Sequence, residues 1–370
     1  MVTEFFPTGK DLRFSGGVEA RTFYVAKNLA RRHRVTVLTT KLKGAKDKER
    51  LFKINVVRIG NDQDYQAAAG GILARLSFIK NSLKESGKID ADIVEGTNFI
   101  THFIAQRISK KKKIPSVAWY PDVWIGSWVQ NTGPIGLLGE VIERINLKIG
   151  FASYIAISNV TKKKLQKFVK STITVIPCGI DPEEFQGQSP KVNTVLCVSR
   201  LAKYKNIKDL ILAFALLVRE NHQMKLAIVG RGPQENELKG LVRNLKLQKK
   251  VIFKSNLKRR EIVDLFKSSK VFCLPSEVEG FGISVIEAAA AGVPYVVSDI
   301  PVLKEVTRNG QGGLIAKVGD IAELSQKLEK LITDKKLYAE KSKQAIHLAK
   351  SYQWPQIARL TESVYTKAVR

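Results

Sequence analysis

Cysteine is scarce. The 370 residues hold three, Cys178, Cys197 and Cys273, far apart and without a Cys-x-x-Cys pair. That count argues against a disulfide framework or a zinc site, and the apolar neighbours of each suit a small buried side chain. Four histidines, His33, His102, His222 and His347, show no metal-ligand spacing. Acidic residues are outnumbered: 34 Asp and Glu face 62 Lys and Arg, a net charge of +28. No window approaches the roughly 18 apolar residues of a membrane-spanning helix. The N-terminus, Met1-Val2-Thr3-Glu4-Phe5-Phe6-Pro7, carries no apolar leader core. These absences point to a cytoplasmic protein, with peripheral contact at the inner face of a membrane left open.

Apolar residues make up 44% of the chain, enough for sizeable cores in two domains of ordinary size. The positive excess is shared by both halves of the chain. It suits polyanions, anionic lipid headgroups or phosphorylated small molecules, and a lysine-rich solvated surface accounts for it equally well.

Short apolar runs alternate with helical stretches. In the first half, strands are expected at residues 35–39, 91–94, 116–120 and 154–157, with Met1-Val2-Thr3 as most of an earlier one. A helix is expected over 19–32, and another ends in Lys110–Lys113, where cations complement the macrodipole. Ser158 is a suitable N-cap for the basic helix after it. A second series follows from Thr194: strands at 195–198, 226–229, 251–253, 271–274 and 295–297, and a helix over 208–220. Between the two series, Gly187-Gln188-Ser189-Pro190 has the composition of a linker. The pattern implies an α/β protein of two doubly wound, Rossmann-like parallel-sheet domains, binding ligands at strand C-terminal ends in the cleft between them. The boundaries are set at 1–185 and 186–350, with 351–370 as a final helical segment.

The chemistry concentrates in Pro275-Ser276-Glu277-Val278-Glu279-Gly280-Phe281-Gly282-Ile283, followed by Glu287. The glycines suit a tight loop, and a short helix from Ile283 ends at Gly292 and Pro294. Glu279 then precedes a helix N-terminus able to bind an anion, and Glu287 lies inside the helix. A carboxylate on each side of a phosphate-binding helix end suits an enzyme handling a nucleotide-sugar. Arg200 and Lys205, after the strand at 195–198, are two cations placed to hold a diphosphate, or else solvated surface charges. Val229-Gly230-Arg231-Gly232-Pro233 is a tight strand-to-helix turn, structural more often than ligand-binding. Ser15-Gly16-Gly17-Val18-Glu19 opens a helix, and its paired glycines permit close backbone approach to a phosphate or form a plain turn.

Taken together these segments resemble the retaining glycosyltransferases of GT-B fold, family GT4. The likeness runs nearly end to end, through Ser15-Gly16-Gly17-Val18-Glu19, Val175-Ile176-Pro177-Cys178-Gly179-Ile180-Asp181, Ser199-Arg200-Leu201 with Lys205, and Glu279-Gly280-Phe281-Gly282 with Glu287, the family's E-x7-E element. Trp354 resembles the tryptophan that opens the family's last helix, which crosses back to the N-terminal domain. The resemblance implies transfer of a hexosyl-type group from a nucleotide-diphosphate sugar to a glycan or lipid-linked acceptor, with retention. It implies that Arg200, Lys205 and the amides of Phe281, Gly282 and Ile283 hold the donor diphosphate. Gly16 and Gly17 approach it from the other domain, Glu287 binds the ribose, and Glu279 lies by the transferred sugar. The nucleobase rests near the loop after Phe253.

The chain departs from the family at two places. Ile176-Pro177-Cys178-Gly179 stands for I-P-N-G, and Pro121 stands where a T-x-H histidine would align, so Tyr120 or Asp122 takes over its sugar contact. His102, inside a helix, is given a surface or packing role. No cofactor and no metal are expected. Asp62-Gln63-Asp64 and Asp90-Ala91-Asp92 resemble the D-x-D of the other main glycosyltransferase fold, but sit in a polar loop and at the wrong end of a strand. Residues 123–139 carry no charge; with Trp124 and Trp128 they read as a loop that meets the acceptor or packs internally, beside a surface suited to an anionic membrane. A nucleotide-sugar 2-epimerase of the same architecture and a basic polyanion-binding protein are the other readings. No nucleic-acid partner is expected, since aromatics do not interleave with the basic residues.

Overall fold

The computed structural model describes residues 1–9, 12–14, 16–63, 72–187, 189–220 and 223–370. Ser15, Asp64, Gln188 and His222 lie outside them. Among the described residues the first part of the chain forms strands β1 (Thr36–Leu42), β2 (Lys48–Leu51), β3 (Ile54–Gln63), β4 (Val94–Gly96), β5 (Ser116–Tyr120), β6 (Ser153–Ala156) and β7 (Ile173–Val175). β1 and β3 pair in parallel, with β2 antiparallel at the edge, and β4 to β7 run parallel in sequence order. Val2 bridges Leu38 of β1 and Gly96 of β4 in parallel register. Met1-Val2-Thr3 thus does the work of a central strand: the Val2 amide donates to Glu95 O at 2.7 Å and the Thr3 amide to Leu38 O at 3.0 Å.

The strand expected at 91–94 is displaced to Val94–Gly96. Asp90 faces outward and pairs with Arg34 at 2.7 Å, so ladder pairing begins where Val94 meets Ser116. The β2–β3 hairpin has no counterpart in the sequence reading. Its strands carry Lys48, Glu49, Arg50 and Arg58, and its turn places Phe52 and Lys53 at φ 48° and 68° without a glycine. The helix Phe99–Lys112 is capped by Asn98, which accepts from the Thr101 amide at 3.0 Å, and ends at Lys113 in the left-handed region at φ 56°. Its Ile100, Ile104 and Ile108 recur every fourth residue and enter a core with Val94, Ala118 and Tyr154. Each such buried side chain stabilises by roughly 1.5–3 kcal/mol. Ser158 caps the Asn159–Leu165 helix, accepting from the Thr161 amide at 3.1 Å.

The chain divides into two compact units, residues 1–178 with 354–370, and residues 179–353. The final helix, Trp354–Val369, therefore belongs to the first unit. Trp354 stacks on Tyr24 of the Gly17–Leu29 helix with rings 5.3 Å apart and 7° from parallel. Beneath it lies a charge cluster shut off from water. Arg21 is 1% exposed and its guanidinium grips both oxygens of Glu95, while Tyr365 Oη donates to Glu95 Oε2 at 2.6 Å. The guanidinium lies over the Trp119 ring, 4.9 Å from its centre.

The second unit holds β8 (Val192–Val198), β9 (Lys225–Val229), β10 (Val251–Lys254), β11 (Ser269–Leu274), β12 (Tyr295–Ser298) and β13 (Gly313–Ala316), paired in the order β10-β9-β8-β11-β12-β13. Every pairing is parallel. Leu210, Phe214 and Leu217 of the Ile207–Glu220 helix pack with Val195, Ile228 and Val271 in its core. The strand order reverses between β8 and β11, which makes the loops after these two strands the place where a doubly wound sheet opens to a ligand.

Removing one partner of a buried pair leaves an uncompensated charge. Arg21→Met should therefore lower the stability of the first unit by about 3–5 kcal/mol, whereas Arg21→Met with Glu95→Leu recovers most of that loss. Denaturant titration of the three chains measures it, and equal losses in the single and double variants would contradict it.

Candidate functional site

Ser199-Arg200-Leu201 leaves β8 and is held from below by the turn after β9. The Ser199 amide donates to Val229 O at 3.0 Å, the Leu201 amide to Arg231 O at 2.9 Å, and the Gln234 amide to Leu201 O at 3.0 Å. The two loops touch through backbone alone. A Cβ on Gly230 would lie 1.9 Å from Ser199 O, and one on Gly232 would lie 2.2 Å from Leu201 O. The Gly-x-Gly turn is thus a support for the Arg200 loop. Arg200 itself is exposed and has no ion pair among the described residues.

Three residues on, the short turn Lys203–Lys205 is stitched to the loop after β11. Tyr204 O accepts from the Glu277 amide at 2.9 Å and the Val278 amide at 3.4 Å. Lys205 is 9% exposed; its Nζ meets Glu279 Oε1 at 2.6 Å and donates to Val278 O at 3.2 Å. Ser276 Oγ donates to the same Glu279 oxygen at 2.9 Å. The expected diphosphate cation and the expected sugar carboxylate are therefore bound to each other. An ammonium has three hydrogens. Two are used here, and the ammonium also lies over the Tyr204 ring, 5.0 Å from its centre.

Gly282 then turns the chain at φ 87°, and a Cβ there would come within 2.8 Å of Leu303 Cδ2. The helix Ile283–Ala290 starts from it with no side-chain cap. The backbone N–H groups of Phe281, Gly282, Ile283 and Ser284 have no acceptor among the described residues. Open donors at a helix N-terminus favour negative charge. One turn in, Glu287 is 7% exposed and forms an ion pair through Oε1 with Arg259 Nη1. Burial pushes its carboxyl above the usual range, and Arg259 pulls it back down. Cys197 and Cys273 lie under the site on β8 and β11, both fully buried, and burial pushes the Cys197 thiol up to about 12.

Arg259 has no counterpart in the sequence reading. Its guanidinium also holds Glu184 Oε2, at 2.8 Å from both Nε and Nη2. The run Lys258-Arg259-Arg260 opens a helix, where cations oppose the macrodipole. That local conflict was the available sign that a carboxylate waits for one of them.

The first unit treats its expected site residues differently. Gly16 is exposed and extended at the start of the Gly17–Leu29 helix, and a Cβ added there would meet nothing within 4 Å. Tyr120 is not at the surface: it is 2% exposed, packed between His102 and Tyr154 in the core. His102 is likewise buried, its Nε2 3.0 Å from Trp119 O, and burial lowers it to about 4. Asp122 pairs with Lys164 at 2.7 Å. Asp62 pairs with Lys41 at 3.1 Å.

The uncharged run is a loop only at its start, over 123–127, where Trp124 lies. It forms the helix Trp128–Thr132, breaks at Gly133 with φ 74°, and enters the helix Gly136–Ile149. Trp124 is half-buried against Trp128, which is 8% exposed and lies against Gly139. Trp128 Nε1 donates to Glu143 Oε2 at 2.6 Å, and the Trp124 amide donates to the same oxygen at 3.3 Å. Internal packing within one unit has claimed Trp128. Glu143 is 2% exposed, and burial pushes it up to about 7 against those two hydrogen bonds.

Comparison with known proteins bears on both units. The family model described as Glycosyltransferase Family 4 matches residues 15–184, and that described as Glycosyl transferases group 1 matches residues 180–348. The glycogen synthase of Mycobacterium tuberculosis is 32% identical over 203 residues, covering 54% of this chain and 49% of that protein. The chain spans about half the length of the curated relatives it matches first. Among solved structures, sucrose-phosphate synthase from Thermosynechococcus elongatus is similar at TM-score 0.84 and 18% identity, over 98% of this chain and 97% of that one. Anabaena Alr3699/HepE in complex with UDP-glucose is similar at TM-score 0.75 and 20% identity, over 99% and 100%. The fold is GT-B, two Rossmann-like α/β units in one chain.

Glu143 supplies a pH test of the first unit. Its folded value of about 7 lies above its ordinary 4.5, so the folded chain keeps a proton that the unfolded chain releases. That stabilisation is full below the ordinary value and is lost as pH rises through about 7. Glu143→Gln keeps an acceptor for Trp128 and should outlast the native chain by roughly 2–3 kcal/mol more at pH 8 than at pH 4.5. Denaturation midpoints at the two pH values decide it; an unchanged gap would mean an unshifted carboxyl.

Proposed function

This chain belongs to the group 1 glycosyltransferases of family GT4, and from that premise we propose that it moves a hexosyl-type group from a nucleotide-diphosphate sugar to a glycan or lipid-linked acceptor, with retention. The observation that carries the reading is Lys205, pinned by Glu279 and Val278 O beside an uncapped helix N-terminus at the switch point of the second sheet. The donor diphosphate takes the remaining Lys205 hydrogen, the Arg200 guanidinium and the amides of Phe281, Gly282 and Ile283. Glu287 accepts from the ribose. UDP is the first nucleotide to try, since Anabaena Alr3699/HepE, of similar fold, was solved in complex with UDP-glucose.

Breaking the anomeric C–O bond moves an electron pair onto the departing diphosphate. Fixed positive groups stabilise that charge more in the transition state than before it. The acceptor oxygen attacks on the face that the diphosphate leaves, and its proton passes to a diphosphate oxygen, so retention needs no second nucleophile. Glu279 is poorly suited to form a covalent intermediate, because Oε1 is committed to Lys205 and Ser276. It serves the sugar as a fixed negative group. The charge on the leaving group is assigned to side chains and amides, with neither metal nor cofactor.

Arg200→Ala and Lys205→Ala should each lower kcat by about 10²–10³-fold, as loss of one donor does at other anion-stabilising sites. EDTA should leave the rate unchanged. The assay must score nucleotide release together with a new glycoside, since epimerisation would alter the donor alone. A thermal-shift series with UDP-, GDP- and ADP-sugars selects the donor, and full activity in either variant with that donor would refute the assignment.

On the acceptor side we propose peripheral contact with an anionic membrane. Among the described residues no helix is long and apolar enough to cross one. The helix Gly136–Ile149 turns polar groups inward: it buries Glu143 and Asn146 together with Gly139 and Leu147, and exposes Leu137, Leu138, Val141, Ile145 and Ile149 by 45–63%. On the same helix Lys148 is exposed, and Arg144 is paired with Glu140 at 2.7 Å. An apolar strip with cations suits the boundary between headgroups and acyl chains. The native chain should sediment with phosphatidylglycerol vesicles at low salt, and Leu137→Glu with Val141→Glu should abolish that. No sedimentation of the native chain would remove the membrane from the proposal.

A further inference from the structure

Glu287 is given the ribose, yet it sits almost out of water, where a carboxylate alone would take up a proton. The side chain that prevents this lies outside every motif. Arg259 is the first residue of the Arg259–Ser268 helix, just after the loop that follows β10. It spans two carboxylates. Nη1 is spent on Glu287 Oε1, while Nε and Nη2 are both spent on Glu184 Oε2 at 2.8 Å. The guanidinium is 12% exposed and lies over the Phe185 ring, 5.6 Å from its centre. A planar fork held at three nitrogens and one face has little freedom to turn. The carboxylate that it grips is fixed in turn. Glu287 Oε2 makes no hydrogen bond among the described residues.

Resting on the donor-site reading above, we propose that Arg259 is a positioning residue for the donor: it holds Glu287 ionised and oriented, one oxygen engaged and the other presented to a ribose hydroxyl. Arg259 touches no reacting atom in this account. Its effect belongs in donor binding, so KM for the donor should rise while kcat changes little. It should also appear in pH dependence. With Arg259 present, the ion pair favours the charged form of Glu287 against the effect of burial. Without it, only burial and the more distant Glu184 act on Glu287, and both favour the protonated form. Nucleotide affinity should then fall as pH falls. The other titratable group facing this cluster is Glu184 itself, so its own variant separates the two carboxylates.

The experiment is calorimetric titration of the full chain with whichever of UDP, GDP and ADP stabilises it most, at pH 6, 7 and 8.5. Arg259→Gln should bind about 10–100-fold more weakly than the native chain at neutral pH, the range expected for a charged hydrogen bond. The deficit should widen at pH 6 and narrow at pH 8.5. Arg259→Lys restores the charge and should recover a flat profile, and it serves as well if the glutamine variant folds poorly. Glu184→Gln should keep the flat profile; if it reproduces the Arg259→Gln profile, Arg259 acts by anchoring the 182–185 turn and the inference is overturned. Should Glu287→Ala weaken binding while Arg259→Gln binds like the native chain, this inference alone falls. Should Glu287→Ala bind like the native chain, the donor-site reading falls and takes this inference with it.

Discussion

The ion pair between Lys205 and Glu279 is the contact on which the second unit's site depends. A site that is to receive a diphosphate must hold positive charge before the ligand arrives, in a place with little water. An ammonium in that position has a large desolvation penalty unless a carboxylate and further acceptors surround it. Glu279 and Val278 O meet that need, and Ser276 holds the carboxylate in turn. The pair also fixes geometry. It joins the loop after β8 to the loop after β11, the two segments that part where the strand order reverses. The same contact therefore offsets the burial of the cation, aims it, and ties together the two loops at the switch point of the sheet.

Charge under cover is handled the same way elsewhere. Arg21 is matched to Glu95 and Tyr365 beneath the last helix, and Arg259 is matched to Glu287 and Glu184 beside the donor helix. In each case a guanidinium takes two acceptors and lies over an aromatic ring. Arginine suits this work because its planar fork meets carboxylates at several nitrogens and is only weakly hydrated. The chain's large positive excess is a different matter. Arg200 has no ion pair among the described residues, and that is what an anion-binding group requires.

The second unit was largely legible in the sequence because its information is local. Buried parallel strands read as apolar runs, and all five expected there formed. The loop at Glu279 and the helix after Gly282 followed from glycine placement. β13 was missed, since Gly313-Leu314-Ile315-Ala316 is short and opens on glycine. In the first unit the β2–β3 hairpin was illegible: charged side chains lie along it, and its turn uses Phe52 and Lys53 where glycine would give the signal. Tyr120 looked like a site residue because it stands next to Pro121, where the family histidine would align, and Trp128 because it lies in an uncharged run after a strand. Their burial depends on Tyr154, Phe99 and Gly139, which are distant in sequence or silent in it. Arg259 and Glu184 show the same limit. Neither has meaning until β10 and the 182–185 turn bring them to Glu287.

The first unit distributes polarity in the opposite sense from the second. Around the helix Gly136–Ile149, Glu143, Asn146 and Gln106 are inside with Leu147, and Leu137, Leu138, Val141, Ile145 and Ile149 are outside. Burying a carboxylate that prefers to be neutral, while leaving apolar side chains in water, loses free energy on both faces. Hydrogen bonds from Trp128, and from Gln106 and Asn146 to backbone carbonyls, recover part of the inner loss. Among the described residues the outer apolar side chains stay exposed. The polar interior also explains why glycine stands at position 139: a side chain there would collide with the Trp128 ring that satisfies Glu143. The helix is thus turned with its polar face held inward by specific bonds, and its apolar face is what remains for a surface that water does not supply. That is the physical ground for the proposed membrane contact, and it stands apart from the donor chemistry proposed for the second unit.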